Sequence, residues 1–181
     1  QLLYYTYLNK LNRIYMWRQK MIWGILTLIF GIGGIIMFTQ PAYGIYNFNG
    51  ESPDAQFLKQ NLFDLIKFEK GMTGYEIAGS VFLILALVFV GIMLLLTLFN
   101  LIAKAVNNKS YVGSKLAAGG FFVCMLVATI MFAVHAAVDL MGADVWQALV
   151  EEGVVFSIGW GMIVALGCSI LALIFAPRKN K

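Results

Sequence analysis

The single histidine of the chain, His135, precedes Asp139 by four residues in the octet AVHAAVDL, a stretch otherwise made of hydrocarbon side chains. Four residues apart on a helix, the two side chains share a face. A carboxylate there favours the imidazolium form, so the pair could pass a proton or hold a cation. An ionisable residue inside a membrane-spanning segment is by default a functional candidate. Against conduction, the same face carries only Cys124 and small residues below His135, while Thr97 and Asn100 lie near the far end of the preceding segment. The polar path is broken. The expectation is therefore structural, with His135 pointing into the interior and bonded across helices, and Asp139 one turn higher near the headgroups. Proton, ion or ligand handling by His135 and Asp139 is the alternative.

Other chemistry is thin. One histidine cannot supply bis-histidine haem ligation, and His135 with Asp139 offers too few ligands for a closed zinc site, so neither metal nor cofactor is expected. Cys124 and Cys168 lie in the inner halves of their segments with no C-x-x-C motif. Beside a reducing compartment they read as buried free thiols. The sequence holds no G-x-S-x-G, no H-E-x-x-H and no phosphate-binding glycine loop. Residues 31–34, GIGG, fall inside an apolar run, where close packing explains them better than a nucleotide turn. No enzymatic activity is expected.

The elements that position these residues follow from composition. Of 181 residues, 61% are hydrophobic and 12% charged, with mean hydropathy +0.82. Soluble chains carry about a quarter charged residues, so the reading is an integral membrane protein of one domain. Apolar runs cover 21–39, 77–103, 116–141 and 153–176, each near or above the roughly 20 residues that cross about 30 Å of hydrocarbon. Period-2 alternation is absent, which argues for helices and against a β-barrel. The expected fold is an all-α four-helix transmembrane bundle.

Charge sets the orientation. Lys10, Arg13, Arg18 and Lys20 precede the first run, Lys104, Lys109 and Lys115 separate the second and third, and Arg178, Lys179 and Lys181 follow the fourth. These ten of the thirteen basic residues share one side, which the positive-inside rule makes cytoplasmic, with both termini there. The nine acidic residues fall at or near the opposite face. The net charge of +4 is thus topological and does not point to nucleic acid. A plasma membrane or bacterial cytoplasmic membrane is the expected location. The basic stretch before the first run also fits a signal peptide, but the run reads as a retained anchor. Met16 reads as a possible start, leaving 1–15 as upstream or processed sequence.

Between the runs, residues 1–20 mix aromatics, leucines and basic groups in the manner of a helix lying in the inner headgroup layer. The outer segment 40–76 opens on the turn residues of PAYGIYNFNG. Ser52 then offers an N-cap and Pro53 a first helical position, so 53–68 reads as a short amphipathic helix. Its apolar stripe is Leu58, Leu62 and Leu65, widened by Phe57 and Ile66. That stripe either packs on its own bundle or docks a partner. The inner loop 104–115 and the outer loop 142–152 are short, so each joins an antiparallel hairpin, and 177–181 forms an inner tail.

Membrane helices associate through small residues and polar contacts, because lipid is as apolar as leucine. Small residues at 3/4 spacing mark one seam per helix, represented by Gly24, Gly31 and Gly34, by Gly79, by Gly120, Cys124 and Ala128, and by Gly161 and Cys168. The arrangement resembles claudin-type four-helix proteins in topology, with inner termini, a longer first outer loop and YGIYNF within it. The loop motif of that family, tryptophan followed by Gly-Leu-Trp and two cysteines, is absent. The resemblance implies topology alone. The functional expectation is a non-catalytic accessory, scaffold or assembly subunit of a larger membrane complex, its partners being the lipid bilayer and other membrane protein subunits.

Overall fold

The computed structural model describes residues 2–47, 56–66, 68, 72–107, 113–135 and 154–176. In chain order they form α1 (Leu2–Met37), β1 (Pro41–Asn47), β2 (Gln56–Asn61), α2 (Leu62–Leu65), α3 (Gly74–Asn107), α4 (Ser114–His135), β3 (Val154–Ile158) and α5 (Trp160–Phe175). The protein is mostly helical.

No glycine or proline precedes Gly24, so nothing interrupts the first helix. It runs unbroken for 36 residues. The interfacial segment expected at 1–20 is therefore continuous with the first apolar run and is not a separate element. At its end, Phe38, Thr39 and Gln40 donate backbone bonds to Ile35, Ile36 and Met37 at 3.0–3.1 Å. These i to i−3 bonds tighten the last turn, and Pro41 then begins a strand.

The strands are the main departure from an all-α fold. They form an antiparallel sheet in the order β2-β1-β3. Ile45 pairs with Leu58 on one side and with Phe156 on the other. The helix expected over 53–68 is replaced by β2 and by the four-residue α2. Apolar spacing in 56–61 fits a helix, but β1 supplies a hydrogen-bonded partner, and pairing overrides local spacing. The helical start falls nine residues later than Ser52, at Asn61, whose side chain accepts from the Asp64 N–H at 2.9 Å while Asp64 accepts from the Asn61 N–H. Ser52 and Pro53 lie outside the described residues.

The fourth apolar run is likewise divided. Its first part, VVFSI, is β-branched and aromatic and becomes β3, since periodicity cannot tell a buried strand from a helix in a short apolar run. Gly159 then leads into α5 with its N–H on the Ala42 carbonyl at 2.9 Å. A Cβ on Gly159 would stand 2.2 Å from the Pro41 carbonyl oxygen, and one on Gly161 2.8 Å from that of Gln40. Glycine at both positions lets the start of α5 lie against the backbone that enters β1.

α3 packs along α4, α4 on α5, α5 on α1 and α1 on α3, and β1 touches α5. Two helices, Gly74–Lys104 and Ser114–His135, are long and apolar enough to cross a membrane. Met21–Met37 and Trp160–Phe175 are apolar but shorter; the 16 residues of α5 span about 24 Å. Four runs of full crossing length are thus reduced to two: the sheet takes up residues counted with the fourth, and the first ends at Met37, where the turn into β1 begins.

Small side chains dominate the interior, among them Ala86, Ala117, Ala118, Ala128, Ala165 and Ala172, with Phe121, Phe132, Met93 and Met125 filling between them. Bulky aliphatics face outward on every long helix, as Ile25, Ile29 and Ile32 do on α1, Val88, Ile92 and Leu95 on α3, Val123 and Ile130 on α4, and Ile163 and Ile174 on α5.

Candidate functional site: a polar cluster at the sheet end of α3 and α4

Because α3 and α4 are antiparallel neighbours, the start of α3 meets the end of α4. α3 begins with a capping box. The Thr73 backbone N–H donates to Glu76 Oε2 at 2.9 Å, and the Glu76 N–H donates to Thr73 Oγ1 at 3.4 Å. Each group satisfies a helix-terminal donor of the other. His135, in the last turn of α4, closes onto this box. Its Nδ1 lies 3.1 Å from Thr73 Oγ1 and its Nε2 lies 3.2 Å from Glu76 Oε1.

The geometry admits two protonation patterns. With neutral imidazole, Nε2–H donates to Glu76 and the Thr73 hydroxyl donates to Nδ1; with imidazolium, both ring nitrogens donate. The imidazole is 8% exposed and the carboxylate 27%, so the pair is reached from the Glu76 side. One turn along α3, the buried Ser80 hydroxyl sits between the carbonyl oxygens of Leu65 and Glu76, the latter at 2.8 Å. This ties α2 to the same corner.

His135 is thus buried, and among the described residues its carboxylate neighbour is Glu76 from another helix. Asp139, expected as the partner, lies outside the described residues. The Thr-x-x-Glu pattern at 73–76 was the available signal, and its position at the start of the second helix placed it at the depth of His135.

Among the described residues, no polar file runs from this corner to the other end of the helices. Between Ser80 and Thr97 the buried residues of α3 are Leu83, Ala86, Val90 and Met93. Between Ser114 and His135, those of α4 are alanines, phenylalanines, Met125 and Cys124. The buried hydroxyls of Thr27 and Ser169 donate to carbonyls of their own helices. Among the described residues, no group of three or more His, Cys, Asp or Glu side chains could hold a metal. Cys124 is buried and Cys168 half-buried, both free thiols.

The small residues mark the helix contacts. A Cβ on Gly24 would stand 2.8 Å from Leu101, on Gly31 2.6 Å from Met93, on Gly79 2.8 Å from Phe132, and on Gly120 2.5 Å from Phe89. Gly34 faces Phe121 and Cys168, and Ala128 is fully buried. Gly161 meets the Gln40 and Pro41 backbone instead of another helix.

Of the candidate docking residues, Leu62 and Leu65 are buried within the chain, and Ile66 packs against its core. Leu62 and Leu65 are therefore covered by the chain itself, and Ile66 partly so. Phe57 and Leu58 belong to β2. Phe63, tilted on Phe38 with ring centroids 5.6 Å apart, is the exposed apolar residue of α2.

Comparison with protein-family models, curated sequences and solved structures finds no match to this chain.

Proposed function

We propose that the chain is an integral membrane protein whose four long helices form a transmembrane bundle, with both termini cytoplasmic and the sheet outside. Within that bundle it serves as a non-catalytic accessory, scaffold or assembly subunit of a larger membrane complex. The observation that carries this reading is the inverted distribution of side-chain size. Gly, Ala, Ser and Thr hold most buried positions of the four long helices, with Phe, Met, Leu83 and Val90 between them, while Ile, Leu and Val crowd the exposed positions. In water that surface would be an aggregation hazard; in lipid it is the solvated face. Lys104 in the last turn of α3, Lys115 in the first turn of α4 and Glu76 at the opposite end agree with the positive-inside rule.

The subunit role draws support from chemistry already committed within the chain. His135 and Glu76 serve to close α3 on α4, leaving the broad apolar exterior for contacts. Tagged protein extracted from native membranes in mild detergent should bring down a stoichiometric membrane polypeptide, identified by mass spectrometry. A stable lone monomer contradicts the role.

A second reading, a small transporter, channel or lipid- or ligand-binding membrane protein working through His135 and Asp139, draws on the burial of an imidazole against a carboxylate. His135→Gln separates the two. Loss of a pH-dependent flux or ligand affinity with unchanged expression supports the second reading, and loss of folding or assembly supports the first.

A further inference from the structure

A groove of about 730 Å³ lies on the side of the helices, lined by Phe89 of α3, Lys115, Leu116, Gly119, Gly120, Val123 and Cys124 of α4, and Leu173 of α5. Lys115 is its one charged group, at one end; the rest is hydrocarbon apart from a thiol. We propose that this groove binds one acyl chain of an anionic phospholipid, with Lys115 holding the headgroup phosphate. The inference rests on the membrane-spanning reading above.

Three features converge on that occupant. First, from Lys115 to Cys124 the groove follows α4 for about 14 Å at 1.5 Å per residue. That is close to half of the roughly 30 Å hydrocarbon thickness, the depth of a single leaflet. Second, the cation stands at the end where α4 begins, among the basic residues assigned to the inner face, where anionic lipids give a negative surface potential. Third, Gly119 and Gly120 line the groove, and it is the missing side chain of Gly119 that leaves it open. At Gly120 the ring of Phe89 already fills it, whereas at Gly119 the nearest atom to an added Cβ is Leu173 Cδ1 at 3.9 Å, an ordinary contact. Gly119 is therefore where a side chain enters the groove without disturbing the helix contact.

The test uses the full chain reconstituted in bilayers of equimolar phosphatidylcholine and phosphatidylglycerol, released into mild detergent and weighed by native mass spectrometry. Wild type should retain phosphatidylglycerol in preference to phosphatidylcholine. Lys115→Gln should lower phosphatidylglycerol retention about fivefold, the loss of one surface cation, and Lys115→Arg should restore it. Gly119→Leu should abolish retention of either lipid while leaving the melting temperature near that of wild type. Equal retention of both lipids by wild type, or unchanged retention in Gly119→Leu, overturns the proposal. So does a photo-crosslinker at Val123 that captures a second polypeptide in place of lipid. Alkaline carbonate washing of the source membranes keeps the two readings apart. Protein washed free sinks the membrane reading, whereas protein that stays in the pellet without selective lipid retention sinks this inference alone.

Discussion

At the scale of single residues, the chemistry of the chain is concentrated where His135 meets Thr73 and Glu76. A ring nitrogen on a carboxylate and a ring nitrogen on a capping hydroxyl couple the end of α4 to the start of α3. Removing either side chain forfeits the hydrogen bond between them, a net loss of about 0.5–1.5 kcal/mol. His135→Ala and Glu76→Ala should therefore each lower stability in detergent by that order. The double variant should fall short of their sum by at least about 0.5 kcal/mol, the coupling expected of groups in direct contact. Glu76→Gln should cost less than Glu76→Ala, because glutamine can still complete a capping box. Thermal unfolding of the wild type and the four variants checks all of this, and strict additivity would show that the contact carries no energy. In the sequence, His135 could be recognised as buried and polar, and Thr-x-x-Glu at 73–76 as a helix start, but not that the two meet. Spacing along one helix pointed to Asp139, while the contact with Glu76 depends on which turn of α3 lies beside the end of α4, a matter of register that linear spacing does not encode.

At the scale of elements, two glycines on neighbouring helices make a sharp test of the packing. A Cβ at position 120 would stand 2.5 Å from the Phe89 ring, whereas at 91 no atom lies within 4 Å. Gly120→Val should force α3 from α4 and destabilise by about 1–3 kcal/mol. Gly91→Ala should be neutral or stabilising by up to about 1 kcal/mol, through helix propensity alone. Melting temperatures in one detergent decide this; equal tolerance at both positions contradicts the contact. The long helices were legible from apolar length, and their small faces from 3/4 spacing, because both patterns are local. The sheet was not. β1 lies in PAYGIYN, whose glycine and proline resemble turn residues. β2 carries Leu58 at helical spacing with Leu62 and Leu65, and β3 continues without polar interruption toward the fourth helix. Each becomes a strand through pairing with residues distant in the chain.

For the whole molecule, the account depends on a bilayer around the helices, with the sheet on one side and the α3–α4 connection on the other. The apolar exterior, the two helices of crossing length and the sorting of charge all follow from that arrangement. The direct measurement is labelling of single-cysteine variants, with Cys124 and Cys168 replaced by alanine, using a membrane-impermeant maleimide on intact and on lysed cells. Thr39, exposed at the sheet end, should label as cysteine in intact cells, and a cysteine at 109, in the connection between α3 and α4, only after lysis. Labelling of position 109 from outside, or of both positions without lysis, would contradict the arrangement.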